Sequence, residues 1–251
     1  GEILYKKKVK CRLERPKPFH IECNPKTILD DIVYLFNEMV TGEKSENIHG
    51  MGFAFQRSTF LFWEKSTCIP LTPAISWQDS RATVILDRFK KYEEKIWEIT
   101  GAPLNAHFGG PKFYHMIQNN KTLKEKAKSG EVYFGPLSAF IVHAITGHAA
   151  IDESIAGRTL MYDLHSGEWS KFTLDLFDVP IDCLPPIKPV KYEYGNFLNS
   201  EIPLLAVIGD QQSALIGQSG LKKYTIGANF GTSASIQYNV GSKPVVAPGL
   251  I

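Results

Sequence analysis

Residues 204–218 read LLAVIGDQQSALIGQ, and this stretch does the most to decide the fold. The five apolar residues 204–208 predict a short parallel strand that is covered on both faces. Gly209 and Asp210 follow at once, and residues 211–218 are expected to open a helix. Asp210 would then lie at the carboxyl end of a strand, where ligands of α/β proteins usually bind, and its carboxylate could accept a proton from a substrate hydroxyl. On this segment alone, a plain helix cap is the more common role for such an Asp.

A second motif lies further along the chain, where residues 227–233 read GANFGTS between two predicted strands, residues 223–229 and 233–240. A turn of glycine and hydroxyl residues can present backbone N–H groups to a phosphate, and Thr232 and Ser233 would add donors. The alternative is a tight hairpin turn without a ligand, which the motif alone favours.

Two polar segments precede these motifs, FQRS at residues 55–58 and ISWQDSR at residues 75–81. Both follow predicted strands, and both place hydrogen-bonding side chains beside aromatic ones. This mixture suits a polyhydroxylated substrate, whose hydroxyls need polar partners and whose carbon faces pack on aromatic rings. The alternatives are that Asp79 caps a helix beside a weak surface ion pair with Arg81, and that Trp77 belongs to the core.

Hydrophobic periodicity predicts the other elements and indicates an α/β architecture, because strands alternate with helices. The first helix is expected to begin at Asn24-Pro25 and to end at Gly42. Residues 179–203 are rich in Pro and turn residues and predict a loop-dominated crossing. Further predicted strands are residues 4–12, 19–23, 48–56, 60–63 and 74–77, the first two as a hairpin. Further predicted helices are residues 79–100, 112–119, 123–129 and 138–146.

Composition excludes several classes of protein. The 251 residues are 43% hydrophobic and 22% charged, the proportions of an ordinary soluble globular protein. The net charge is only +2 and the basic residues are scattered, which argues against nucleic-acid partners and against a membrane surface. No uninterrupted apolar run of about 18 residues occurs, so a transmembrane helix is not expected. The cysteines lack zinc spacing and predict buried or half-buried free thiols in a reducing compartment, by default the cytoplasm: Cys11, Cys23, Cys68 and Cys183.

The order of these pieces resembles the FGGY carbohydrate kinases, which are sugar and polyol kinases with an actin-like ATPase fold. The resemblance covers nearly the whole chain, and its most specific motifs are Gly209-Asp210-Gln211-Gln212 and Gly231-Thr232-Ser233, in that order and separation. It implies an actin-like (ribonuclease H-like) α/β fold with a mixed sheet flanked by helices, and ATP with Mg²⁺ as cofactors. The resemblance also includes the Asn24-Pro25 helix start and residues 55–57, 77–81, 100–103, 152–156, 162–169 and 179–185.

The resemblance also implies roles for the residues of the two specific motifs. Asp210 is expected to be the general base that takes the proton from the phosphorylated hydroxyl, and to ligate the metal. Gln211 is expected to contact the substrate beside it. Gly231 and Thr232, with Ser233, are expected to hold the terminal phosphates of ATP.

The other implied roles concern the sugar or polyol substrate. Gln56, Arg57 and Ser58 fall where glycerol kinases of the family carry Gln, Arg and Glu, so this segment, and Arg57 above all, is expected to bind substrate. Ser58 departs from the acidic residue, which argues against glycerol itself.

An aromatic group completes the expected substrate site. Trp77 and Asp79 resemble the substrate-lining pair of the pentulose and hexulose kinases. His107 falls near a substrate-binding Tyr of glycerol kinases, although a lone His is more often structural.

The family also implies a first strand that carries an Asp-x-Gly-Thr turn, and no such motif occurs in this sequence. Together with the absence of an initiator Met, this leads to the expectation of an incomplete copy. Residues 1–208 would be the N-terminal domain without its first phosphate-binding strand, and residues 209–251 the truncated start of the C-terminal, ATP-binding domain. The full-length protein would phosphorylate a sugar or polyol hydroxyl, and this chain alone would not turn over ATP.

Two other functions are compatible with the same scaffold. A non-catalytic sugar-binding or regulatory protein is the main alternative, supported by Ser58 and by the missing phosphate strand. An actin-like ATPase with a protein partner is disfavoured by the substrate cluster of Arg57, Trp77 and Asp79. The sequence leaves the identity of the sugar and the oligomeric state open, with a homodimer as one option.

Overall fold

The computed structural model of the protein describes residues 2–41, 47–230, 234–247 and 250. Within these ranges the strands are β1 (Glu22–Cys23), β2 (Met51–Phe55), β3 (Phe60–Glu64), β4 (Ala74–Ile75), β5 (Val132–Pro136), β6 (Ile151–Asp152), β7 (Tyr162–Asp163), β8 (Glu168–Trp169), β9 (Ile187–Lys188), β10 (Lys191–Asn196), β11 (Pro203–Gly209), β12 (Ile226–Phe230) and β13 (Ala234–Tyr238). The helices are α1 (Pro25–Val40), α2 (Glu93–Thr100), α3 (Gly109–Gln118), α4 (Lys121–Lys128), α5 (Leu137–Thr146), α6 (Glu153–Ala156), α7 (Lys171–Leu176) and α8 (Asp210–Ser219), with 3₁₀ turns at Arg81–Arg88, Lys90–Tyr92 and Ile181–Cys183.

Parallel and antiparallel pairing occur together, which confirms the predicted mixed α/β architecture. One sheet has the strand order β1-β4-β3-β5 and is antiparallel throughout. A second sheet has the order β10-β11-β2, in which β11 is parallel to β2 and antiparallel to β10. Strands β12 and β13 form a separate antiparallel pair. Two further short pairs, β6-β9 and β7-β8, join the connecting segments.

Strand β3 separates two apolar cores. Successive side chains of a strand point to opposite faces, so Leu61 and Trp63 face one core while Phe60 and Phe62 face the other. All four side chains are fully buried. The first core packs helix α5 against strands β2 and β11, and the second packs α3 and α4 against β5.

Several sequence signals are confirmed at residue level. Helix α1 begins as predicted, because Asn24 Oδ1 accepts hydrogen bonds from the backbone N–H groups of Lys26 and Thr27 at 2.9 and 3.3 Å. It is capped at Thr41, and the predicted terminator Gly42 lies outside the described residues. Helices α5 and α8 also match their predicted positions. In the described ranges, no helix combines the length and apolar character needed to cross a bilayer.

The predicted N-terminal hairpin is wrong. The described residues 2–13 form no strand, and a single bridge between Glu14 and Glu22 replaces the expected ladder. The alternation of Lys with apolar residues is present, but Leu4 is 77% exposed and no described strand pairs with this segment. A strand needs a partner as well as a pattern, and β1 instead pairs with β4.

Four other predictions needed correction. The single helix expected over residues 79–100 is a series of 3₁₀ turns followed by α2, with Val84 80% exposed on the outer side. The crossing at residues 179–203 contains β9 and β10 rather than loops alone. Strand β11 is not covered on both faces, since Leu205 is 41% exposed while its neighbour Leu204 is buried. Cys11 is exposed rather than buried.

Candidate active site

Asp210 is the first residue of helix α8 and directly follows strand β11. Gly209 forms the junction, and its N–H donates a hydrogen bond to Ser154 Oγ at 2.8 Å. A Cβ atom at Gly209 would lie 2.6 Å from Gln212 Oε1 and 2.9 Å from Arg57 Cδ, so only glycine fits without displacing these side chains. The side chain of Asp210 is 43% exposed, and its carboxylate therefore remains open to a ligand.

Arg57 lies beside this carboxylate. Its Nε atom is 3.5 Å from Asp210 Oδ1, and its side chain is only 21% exposed. Burial lowers the pKa of the Arg57 guanidinium, and the Asp210 charge partly opposes that shift. The contact follows from the fold: Phe55 of β2 pairs in parallel with Gly209 of β11, so the segments that leave the two strands emerge at the same edge of the sheet.

Trp77 and His107 form an aromatic pair in the same region. Their ring centroids are 6.1 Å apart in an edge-on arrangement. Trp77 is 39% exposed, so the alternative that it belongs to the core is wrong. Burial, with smaller effects from the Lys112 and Arg158 charges, lowers the pKa of His107 to about 4. His107 is therefore neutral at pH 7, and one of its ring nitrogens is a donor and the other an acceptor.

Arg158 is a site residue that sequence reasoning missed. Burial lowers the pKa of Arg158 to about 10, with a further decrease from the Arg57 charge and an opposing effect from Asp210. Its guanidinium stacks 4.7 Å from the ring centroid of Phe108, the neighbour of His107. Its Nε atom is buried without a hydrogen-bond partner among the described residues. A charged residue between the buried pairs Ile155-Ala156 and Leu160-Met161 was the available signal.

Asp79 does not join this cluster. Its side chain is fully buried and accepts hydrogen bonds from the Arg81 guanidinium at 2.7–3.0 Å and from the Ile21 N–H at 2.6 Å. Burial opposes ionisation of Asp79, but these hydrogen bonds outweigh it and lower its pKa. Of the alternative, the cap-type bond is present, because Asp79 Oδ1 accepts from the Arg81 backbone N–H at 3.0 Å, but the ion pair is not at the surface, because Arg81 is only 11% exposed and binds Glu22 as well. Substrate contact by Asp79 stays a prediction.

The remaining predicted substrate residues have mixed placements. Gln56 is half-buried next to Arg57, whereas Ser58 is fully buried in a left-handed conformation with φ of 61°. The N–H of Gln211 donates to Asp210 Oδ1 at 2.8 Å, and its Oε1 atom is buried without a partner in the described part of the chain. Substrate contact by these three side chains stays a prediction.

The predicted phosphate turn, Gly231, Thr232 and Ser233, lies outside the described residues, and its role stays a prediction. Strands β12 and β13 flank it. Across the described ranges, no group of three or more His, Cys, Asp or Glu side chains could hold a metal ion by itself. Asp210 could still supply one carboxylate ligand, which is compatible with Mg²⁺ because that ion usually takes one or two carboxylates plus phosphate oxygens and waters.

The fold and this arrangement define a mixed-sheet α/β protein with a carboxylate–guanidinium site at the carboxyl edge of its parallel strand pair. Comparison with known proteins then gives the family. The family model for the "FGGY family of carbohydrate kinases, N-terminal domain" matches residues 1–217. The chain therefore belongs to the FGGY family of carbohydrate kinases.

Individual relatives agree with this assignment. The glycerol kinase of Bacillus cereus (strain AH187) is 32% identical over 258 residues, which cover 98% of this chain and 52% of the relative. A crystal structure of Plasmodium falciparum glycerol kinase with ADP has a TM-score of 0.92 at 28% identity, covering 98% of this chain and 52% of that one. A ligand-bound xylulose kinase from Lactobacillus acidophilus shares the fold, with a TM-score of 0.77 at 21% identity over 90% of this chain and 47% of its own. The chain thus spans about half the length of the curated relatives it matches.

Proposed function

We propose that this chain supplies the acceptor side of an ATP-dependent kinase active site, in a protein that transfers the γ-phosphoryl group of MgATP to a hydroxyl of a sugar or polyol. The observation that carries the proposal is the exposed Asp210 carboxylate, held at the carboxyl edge of the sheet with Arg57 Nε 3.5 Å away. Membership of the FGGY family supports the reaction class. The proposal includes an actin-like fold with a ribonuclease H-like first domain.

Asp210 is the proton acceptor in this proposal. As the substrate oxygen bonds to the transferred phosphorus and the bond to the ADP oxygen breaks, the hydroxyl proton passes to an Asp210 oxygen. Arg57 orients the carboxylate. Its Nε donor faces Oδ1, which also accepts from the Gln211 N–H, so Oδ2 is the atom left for the incoming proton.

Fewer residues of this chain are proposed to bind the nucleotide and its metal ion. Mg²⁺ bound with ATP would neutralise charge on the phosphoryl group, and the Asp210 carboxylate is the ligand that the described residues offer it. Gly231, Thr232 and Ser233 are proposed to hold the terminal phosphates through backbone and hydroxyl donors.

The acceptor is proposed to be uncharged and polyhydroxylated. Arg57 offers hydrogen-bond donors, His107 offers one donor and one acceptor in its neutral form, and the exposed Trp77 offers an apolar edge. That combination matches a carbon chain carrying several hydroxyls. All four cysteines are free thiols, which supports the cytoplasmic location that the proposal includes.

The test is Asp210→Asn in the whole kinase. Asparagine keeps the shape but cannot take the proton, so kcat is expected to fall by roughly 10² or more. Affinity for the acceptor, measured by isothermal titration, should change by less than about threefold, because the amide oxygen still accepts a hydrogen bond. Asp175→Asn is the matched control, since Asp175 is 66% exposed in an ion pair with Lys171 on α7. Turnover that survives in Asp210→Asn would remove the proposed base.

A further inference from the structure

Lys112 is a fully buried lysine in the first turn of α3. Its Nζ atom donates to the backbone oxygen of Ser58 at 2.8 Å and to the backbone oxygen of Ser76 at 2.7 Å. These two carbonyls belong to different segments. Ser58 directly follows Arg57, and Ser76 directly precedes Trp77. One ammonium group thus joins the two segments that carry these proposed substrate side chains.

Burial of an ammonium group is energetically unfavourable. Transfer of such a charge from water into a protein interior carries a penalty of several kcal/mol, and a methionine of similar length would avoid it. Burial lowers the pKa of Lys112 to about 7, with Asp79 partly opposing the shift and Arg81 adding to it. Both acceptors are neutral carbonyls, so no carboxylate bonded to Lys112 balances its charge. What a lysine provides here is a single group that donates to two carbonyls at once.

Ser58, whose carbonyl accepts the Lys112 bond, has an uncommon backbone conformation. Its φ of 61° is in the left-handed region that residues other than glycine rarely adopt. Such a conformation persists only where surrounding contacts hold it, and these conformations cluster at functional sites. The Ser58 carbonyl points to Lys112 Nζ, and this bond holds the turn from which Arg57 projects.

A second bond joins the same two segments. The N–H of Trp77 donates to Thr59 Oγ1 at 3.2 Å. The start of helix α3 is also bonded to the segment that carries Arg158. The N–H of Gly110 donates a hydrogen bond to the backbone oxygen of Thr159 at 2.7 Å. His107 lies just before the start of α3, and Lys112 lies in its first turn.

We propose that Lys112 is a positioning residue, whose ammonium sets the place of Arg57 relative to Trp77 and so shapes the acceptor site without touching the substrate. The effect on the two segments is a property of the folded chain alone. The effect on substrate rests on the proposed function.

The first test is Lys112→Met, followed by hydrogen–deuterium exchange of the 251-residue chain. Peptides that cover residues 56–60 and 74–80 are expected to exchange at least about tenfold faster than in the wild type, because both carbonyls lose their shared donor. Peptides from α7 and from β7–β8 should be unchanged. Lys95→Met is the control, since Lys95 is 57% exposed and pairs only with Glu98 three residues on.

Lys112→Gln guards against a failure of the methionine variant to fold. Its side chain is one atom shorter than that of lysine, so its NH₂ group is not expected to bond both carbonyls at their present distances, and at least one of the two segments should lose protection. Unchanged exchange in both segments would overturn the proposal, and so would a uniform increase across the whole chain, which would mean a purely structural role.

The substrate consequence is measured separately. In the whole kinase, KM for the acceptor should rise about tenfold or more in Lys112→Met, with kcat within about threefold, because ground-state and transition-state binding are lost together. A fall in kcat at constant KM would overturn the positioning role. If the whole kinase phosphorylates no member of a panel of pentuloses, hexuloses and polyols, the proposed function fails, and the exchange data still decide whether Lys112 joins the two segments.

Discussion

Replacing Asp152 by asparagine should make the stability of the chain less sensitive to pH. Asp152 is fully buried, and burial raises its pKa from 3.8 to about 6, although hydrogen bonds from Ser154 and Ile155 oppose the shift. Its Oδ1 atom accepts these bonds, while Oδ2 has no partner among the described residues. The folded state therefore holds a proton between pH 3.8 and about 6 that the unfolded chain releases. Stability from this group is present at low pH and lost as the pH rises through that window.

The size of the effect follows from the shift. A pKa difference of about two units corresponds to roughly 3 kcal/mol of destabilisation above about pH 6. Asparagine keeps an acceptor oxygen for Ser154 and Ile155 and carries no charge at any pH. The free energy of unfolding of Asp152→Asn minus that of the wild type should thus be larger by roughly 2 kcal/mol at about pH 8 than at about pH 4.5.

Urea unfolding of the 251-residue chain, followed by circular dichroism at the two pH values, measures this difference. Asp79→Asn is the control, since the pKa of Asp79 is lowered by its hydrogen bonds from Arg81 and Ile21; this carboxylate is ionised in both states at either pH, so the loss of its charge should cost the same stability at both values. The reasoning is refuted if the stability difference between Asp152→Asn and the wild type is the same at both pH values.

Three further substitutions test the packing around the site. Gly209→Ala should weaken acceptor binding about tenfold in calorimetry, because the new Cβ would lie 2.9 Å from Arg57 Cδ and push this side chain away from the carboxylate; unchanged affinity would contradict it. Gly110→Ala would put a Cβ 2.4 Å from the ring of Phe177 and should cost about 1–3 kcal/mol in urea unfolding. Phe134→Ala, at a fully buried position between three other phenylalanines, should cost about 3–5 kcal/mol, and a loss below about 1 kcal/mol would mean that the core closes over the gap.

The sequence predicted Arg57 and Asp210 at the ends of strands, but it did not predict that they meet, because that contact depends on which strands are neighbours. A carboxylate after one buried strand and an arginine after another meet whenever the two strands are parallel neighbours, as β2 and β11 are. Trp77 and His107 were predicted through family resemblance, and the structure brings their rings together. An apolar stripe and the Asn24 cap also placed helix α1, a run of apolar residues placed α5, and the strand before Gly209 placed α8.

The failures share a physical cause, which is that local sequence does not reveal partners. The alternating pattern of residues 4–12 is that of a strand, but pairing is a property of two segments. Asp79 has the same local setting as a substrate ligand, and only the position of Arg81 and Ile21 shows that its oxygens are occupied. Arg158 and Lys112 carry no motif, and their importance depends on what the fold buries around them.

The parallel pairing of β2 with β11 has a consequence for how this protein matures. Arg57 and Asp210 are far apart in sequence, and they meet because β2 and β11 are parallel neighbours. During synthesis, the carboxylate half of the site emerges long after its guanidinium half. A ribosome-stalled chain that ends before β11 would therefore contain Arg57 without the carboxylate that it faces in the folded protein.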